Sequence, residues 1–172
     1  APSIANLFFS ENAADAEVYG LEGDITYLPP SIEGLSLTGA FSFLDTEVTE
    51  VLVPTKDVEN GVSLASAPEV QLNLRARYEW ELGNGMQAHF MPSVVYSDKQ
   101  FSDIITINRD EIDSYTLVNL SAGITTDIWS GEFFIDNATD EHAETARNFV
   151  NDVERITPAR PLTFGLRFAR NF

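Results

Sequence analysis

The sequence predicts an all-β chain of antiparallel, up-and-down strands of a transmembrane barrel, and three observations point there. Residues alternate in polarity with period two, connections alternate between short and long, and aromatic rings gather at one end of the strands. Side chains along a strand point to opposite faces in turn, so strict alternation means two faces in different surroundings. The clearest case lies at 70–81, where Val70, Leu72, Leu74, Ala76, Tyr78 and Trp80 alternate with Gln71, Asn73, Arg75, Arg77, Glu79 and Glu81. The C-terminal segment repeats it, with Leu162, Phe164, Leu166 and Phe168 against Thr163, Gly165, Arg167 and Ala169, and with Phe172 in phase with the apolar set.

Five further strands follow from weaker versions of the pattern, at 19–27, 35–43, 86–96, 118–124 and 129–137. Residues 4–9 read as the end of another, giving about eight strands and no helix. Between them, 28–34, 82–85 and 127–131 are tight turns carrying Pro or Gly, whereas 50–67, 98–114 and 138–160 are long and charged. Short turns on one rim and long loops on the other are the habit of outer-membrane barrels, whose short turns are periplasmic. Tyr27, Trp80, Trp129 and Phe172 fall on the short-turn rim, where amphipathic rings suit a membrane interface.

Composition narrows the function. Of the 172 residues, 10 are Lys or Arg and 27 Asp or Glu, a formal charge of −17 that repels nucleic acid phosphates. The absence of cysteine removes disulfides, thiolate nucleophiles and Cys-based zinc sites, and His89 and His142 alone cannot make a multi-histidine centre. No stretch approaches the roughly 18 consecutive apolar residues of a membrane helix, and Ala1-Pro2-Ser3 does not begin a signal peptide. A mature secreted chain or an internal fragment is the expectation. No G-x-S-x-G, Walker-type loop or H-E-x-x-H occurs, so no catalytic residues, cofactor or metal site are assigned.

Five segments, in order, resemble the C-terminal part of a TonB-dependent outer-membrane receptor. Asn12-Ala13-Ala14-Asp15-Ala16-Glu17-Val18-Tyr19-Gly20-Leu21-Glu22 is similar to the family's "NAG.A…G.E" hairpin, and the strand that starts at Gly34 to the one after it. Ala67-Pro68-Glu69 resembles "NAPE", Asp136-Asn137-Ala138-Thr139-Asp140-Glu141 resembles "RNLTDE", and Pro161-Leu162-Thr163-Phe164-Gly165-Leu166-Arg167-Phe168 resembles the closing "PRTYGL" strand. Nothing here resembles the plug domain or the energy-coupling box.

The resemblance implies a receptor barrel of about 22 strands, of which residues 1–172 would supply roughly the last third. It implies a bacterial outer-membrane location and TonB-dependent uptake of a scarce small molecule, most commonly an iron-siderophore complex. The implied partners are outer-membrane lipid and, through the missing plug, the inner-membrane energy-coupling complex. Phe164, Leu166, Phe168 and Phe172 would form the membrane-assembly signal. Glu22, Asp24, Arg75, Arg77, Glu79 and Arg167 would form a lumen-facing polar wall, either touching plug or substrate or simply solvated and joined by cross-strand ion pairs worth about 0–1 kcal/mol each.

Other readings stand beside these. Asp136, Asp140, Glu141 and Glu144 suggest calcium but lack a D-x-D-x-D-G loop and read as solvated charge. His142 reads as exposed, His89 as lacking a second ligand nearby, and the sequons at Asn119 and Asn137 as chance. An autonomous eight-stranded structural or adhesion barrel is the alternative, although the small residues Ser36, Thr38, Ala40, Ser42, Ser121 and Gly123 suit a wide lumen better. A secreted soluble β-sandwich binding module is the third.

Overall fold

The computed structural model describes residues 14–52, 56–150 and 153–170, and within them the chain is almost wholly extended. Seven long strands build one antiparallel sheet in the order β1-β2-β3-β4-β7-β8-β11. They are β1 (Ala14–Tyr27), β2 (Leu35–Val51), β3 (Val70–Gly83), β4 (Met86–Ser97), β7 (Tyr115–Thr125), β8 (Trp129–Asp136) and β11 (Thr163–Arg170). Two small hairpins, β5 (Gln100–Phe101) with β6 (Glu111–Ile112) and β9 (Glu144–Val150) with β10 (Val153–Pro158), stand apart from it. A single 3-10 turn at Thr106–Asn108 is the helical element among the described residues. Among the described residues the sheet is open, with β1 and β11 at its edges. Residues 4–9 and Phe172 lie outside the described residues.

Short and long connections alternate as the sequence predicts, with 28–34, 84–85 and 126–128 on one rim and 52–69, 98–114 and 137–162 on the other. Gly34 shows how tightly the short rim is drawn. Its φ is +81°, and a Cβ there would stand 2.0 Å from the Glu79 carbonyl oxygen. That approach is part of the turn, because the Glu79 N–H donates to the Gly34 carbonyl at 2.8 Å. Only glycine combines that φ with that proximity.

Cross-strand partners share a face, so the register sorts the residues. One set of rows runs Ile25–Gly39–Leu74–Val94–Val118, Leu35–Tyr78–Phe90–Ala122–Phe133–Leu166 and Trp80–Ala88–Ile124–Gly131–Phe168. This apolar face is bare: Leu166 is 81% and Phe168 73% exposed, and no second sheet of described residues covers it. A water-soluble sandwich would bury such a surface, since exposed apolar patches on soluble monomers rarely exceed a few hundred Å². Tyr78 stacks on Trp80 with centroids 5.5 Å apart, and Trp129 on Phe168 at 6.3 Å, forming a ring-rich edge beside the short turns.

On β1 and β2 the alternation changes phase, and this accounts for the difference between predicted and observed strand lengths. The sequence reading starts the first strand at Tyr19 and ends the second at Phe43, whereas the strands run from Ala14 and to Val51. Above the Leu21–Phe43–Val70 row the apolar side turns acidic, with Asp45 opposite Tyr19 and Glu47 opposite Glu17. A register shift between Asp15 and Ala16 follows. Val48 is fully buried beneath loop 52–69, which pairs with it through Val62 and Gly61 at 2.8 Å. The strands thus project beyond the apolar band, where the outer surface meets water. From Val70 to Trp80 the band takes ten residue steps, which at about 3.4 Å each and a tilt of about 40° rise about 25 Å, the height expected of such a band.

Candidate functional site

The polar face and the loops above it form the candidate site. Rows on this face run Glu22–Ser42–Gln71–Ser97–Tyr115, Asp24–Ala40–Asn73–Val95–Leu117 and Thr26–Thr38–Arg75–Ser93–Asn119. Nearer the short turns a further row joins five strands, Glu79–His89–Gly123–Glu132–Arg167. The six residues expected on a polar wall therefore share one face, but they are spread over β1, β3 and β11 and do not make one cluster. Glu22, Asp24 and Arg75 are exposed, and Arg75 has no ion pair among the described residues. Arg77 turns to Glu79 on its own strand, Nη2 to Oε1 at 2.7 Å, where a cross-strand partner is the sequence expectation.

Arg167 does find a cross-strand partner, pairing with Glu132 on β8. Glu132 also meets His89 Nε2 at 3.1 Å, although β7 lies between their strands. The bridge exists because the intervening residue is Gly123: a Cβ there would stand 2.7 Å from His89 Cε1 and 2.7 Å from the Gly131 carbonyl oxygen. Sequence reasoning treats His89 as isolated, because Glu132 is 43 positions away and only the register reveals the glycine between them. Next to this bridge Phe134 lies across Gly165, and the Arg167 guanidinium sits 4.0 Å from the Phe134 ring centroid. The side chains here lie flat along the wall instead of projecting from it.

The three long loops are tied in series. The Arg109 guanidinium donates to the Ser63 carbonyl (2.9 Å), Ser63 Oγ (2.8 Å) and the Asp103 carbonyl (2.8 Å), and stacks 3.9 Å above Phe101. Burial lowers its pKa, opposed by Asp103. The Ser66 N–H donates to the Phe101 carbonyl at 2.9 Å, completing the union of loops 52–69 and 98–114. Gln100 Nε2 then donates to the Thr145 carbonyl at 3.0 Å, and Arg147 reaches Asp110 (3.0 Å), Glu144 (2.6 Å) and Glu154 (2.9 Å). These carboxylates, Glu144 foremost, raise the Arg147 pKa. Glu111 likewise raises that of the exposed Lys99.

Loop 137–162 is organised by Asn137, which is 2% exposed with φ +51°. Its amide donates to the Glu141 and Arg160 carbonyls at 2.9 and 3.0 Å and accepts the Glu141 N–H at 2.9 Å, while its own N–H donates to Asn119 Oδ1 at 2.9 Å. A glycan has no access to that amide. The acidic residues weighed for calcium go separate ways: Asp136 pairs with Arg160 at 3.3 Å, Asp140 accepts the Leu162 N–H at 3.0 Å and Glu144 takes Arg147. His142 is exposed.

Arg109→Ala removes every tie between its guanidinium and the two loops, so backbone amides of 56–66 and 100–109 are expected to exchange hydrogen about ten- to a hundredfold faster, equivalent to about 1.5–3 kcal/mol for charge-assisted bonds. Arg109→Lys is expected to recover only part, because an ammonium lacks the planar fork. Unchanged exchange in Arg109→Ala would show that the loops hold without it.

An antiparallel sheet with one lipid-compatible face, one polar face, short turns below and an interlocked crown of loops above is the wall of an outer-membrane-type barrel. The sequence matches the family model described as TonB dependent receptor-like, beta-barrel, over residues 1–138, and the chain belongs to that family of receptors, which are not enzymes. No curated protein sequence is similar enough to count as a match. Similar solved structures include BauA, the ferric preacinetobactin receptor from Acinetobacter baumannii (19% identity, TM-score 0.71, covering 91% of this chain and 22% of that one). The siderophore receptor PiuA from the same organism (17%, 0.69, 90% and 22%) and the ferric-catecholate import receptor Fiu from E. coli K12 in its closed form (12%, 0.64, 89% and 21%) share the fold. The chain thus spans about a fifth of the length of these receptors.

Proposed function

We propose that residues 1–172 form the C-terminal part of the barrel wall, with its extracellular loops, of an outer-membrane receptor that takes up a scarce small molecule, an iron-siderophore complex foremost. The polar face lines the lumen, and a plug domain elsewhere in the polypeptide couples the receptor to the inner-membrane energy complex. The observation that carries this reading is the family match, joined to a sheet whose faces suit lipid and lumen. The three similar solved proteins, named for ferric or siderophore cargo, support the choice of cargo.

The test is uptake of radioactive iron from a panel of ferric catecholate, hydroxamate and carboxylate siderophores, in cells with and without the gene encoding this chain. Loss of uptake of at least one complex, abolished equally by collapsing the inner-membrane proton gradient, is the expected result. Uptake of every complex unchanged by the deletion would overturn the cargo assignment. The proposed assembly signal gives a separate expectation. Deleting Phe172 should reduce the amount of full-length receptor in the outer membrane several-fold while leaving cargo affinity per folded molecule unchanged, measured by membrane fractionation and binding; normal yield would dismiss that role.

A further inference from the structure

The apolar face is not uniformly filled. Between the rows carrying Phe41, Leu72 and Tyr96 on one side and Tyr78 and Phe90 on the other lies a run of small residues, Gly39 on β2, Ala76 on β3 and Pro92 on β4. Pro92 also lacks an N–H, and the β3/β4 pairing lapses between Arg75–Ser93 and Tyr78–Phe90. The result is a groove of about 420 Å³ with Ile25, Leu74 and Tyr27 along its sides. Thr38, Arg75 and Ser93 also border it, yet their side chains belong to the opposite face.

We propose that this groove is a binding site for one acyl chain of a phospholipid. Its Gly, Ala, Pro, Ile, Leu and Tyr lining offers methyl, methylene and ring surface and no charged group, which suits a hydrocarbon chain better than a peptide with backbone polar groups to satisfy. The groove is continuous with the wall that a barrel of this family turns to the bilayer, so its occupant comes from the bilayer. Tyr27 closes β1 beside the short turn 28–34 and is half exposed, which places one end of the groove at the short-turn interface. Short turns are periplasmic, and the headgroup therefore sits in the inner leaflet, where the lipids are phospholipids. The inference rests on the receptor reading.

Full-length receptor reconstituted with a phosphatidylethanolamine bearing a diazirine in its acyl chain is irradiated, and the labelled residues are mapped by mass spectrometry. Label several-fold enriched at Ile25 and Leu74 over Phe133 and Leu166 is expected. Two variants fill the groove: Gly39→Leu, whose Cβ would meet only the Leu74 Cδ2 and Ile25 Cγ2 methyl groups at 3.2 and 3.6 Å, and Ala76→Phe. In either folded variant the enrichment should fall to parity. Even labelling across the apolar face, or enrichment untouched by both variants, overturns the groove and leaves the barrel standing. Label from a photoreactive lipopolysaccharide in place of the phospholipid overturns the leaflet assignment, and no label anywhere on the face overturns the barrel reading itself.

Discussion

Leu74→Arg should destabilise the folded receptor in a bilayer by about 2–4 kcal/mol, while Asn73→Arg, one residue away on the same strand, should cost little. Leu74 sits in the middle of the apolar band, in the Ile25–Gly39–Leu74–Val94–Val118 row, and is 54% exposed. A guanidinium there is placed in hydrocarbon near the bilayer midplane, too far from either interface to reach water fully. Asn73 lies in the Asp24–Ala40–Asn73–Val95–Leu117 row, on the face we assign to the lumen, where an added cation stays hydrated. Urea unfolding of the full-length protein in lipid vesicles measures both. Equal costs would mean that the two faces do not meet lipid and lumen.

How much of this was readable beforehand depended on whether the environment stayed constant along a strand. β3 crosses the apolar band within its described length, so its alternation runs unbroken and the sequence locates both its ends to within two residues. β1 and β2 leave the band, and there Glu17, Asp45 and Glu47 take the side that Leu21 and Phe43 occupy below, so a search for one phase stops too early. The β9/β10 hairpin stayed hidden for a related reason. It pairs Val150 with Val153 but Arg147 with Ile156 and Phe149 with Glu154, mixing polarity on each face because neither faces a continuous apolar medium. The placement of the wall residues on one face was legible from parity alone. Their partners were not, since Arg167 with Glu132 and Arg109 with Ser63 are 35 and 46 positions apart and depend on strand order. In the sequence Asn137 stands out only as part of a motif and as a sequon, yet its buried side chain organises the long loop, a role that only its hydrogen bonds disclose.

The same dependence on register makes Gly123 a sensitive position on the polar face. Gly123→Ala places a methyl 2.7 Å from the Gly131 carbonyl oxygen on the neighbouring strand and 2.7 Å from His89 Cε1, with the Glu132 Cα at 3.2 Å. The His89 ring can swing away, at the cost of its contact with Glu132, but the Gly131 carbonyl belongs to the ladder between β7 and β8 and cannot move without loosening it. Overpacking of this kind costs about 1–3 kcal/mol. The two components separate in a double-mutant cycle: His89→Ala alone should be mild, and Gly123→Ala with His89→Ala should recover only the part due to the ring, leaving the backbone contact. Full recovery in the double variant would locate the whole strain in His89. Strict additivity would mean that the ring does not lie over Gly123, and with it would go the bridge from β4 to β8 that joins His89, Glu132 and Arg167 across the wall.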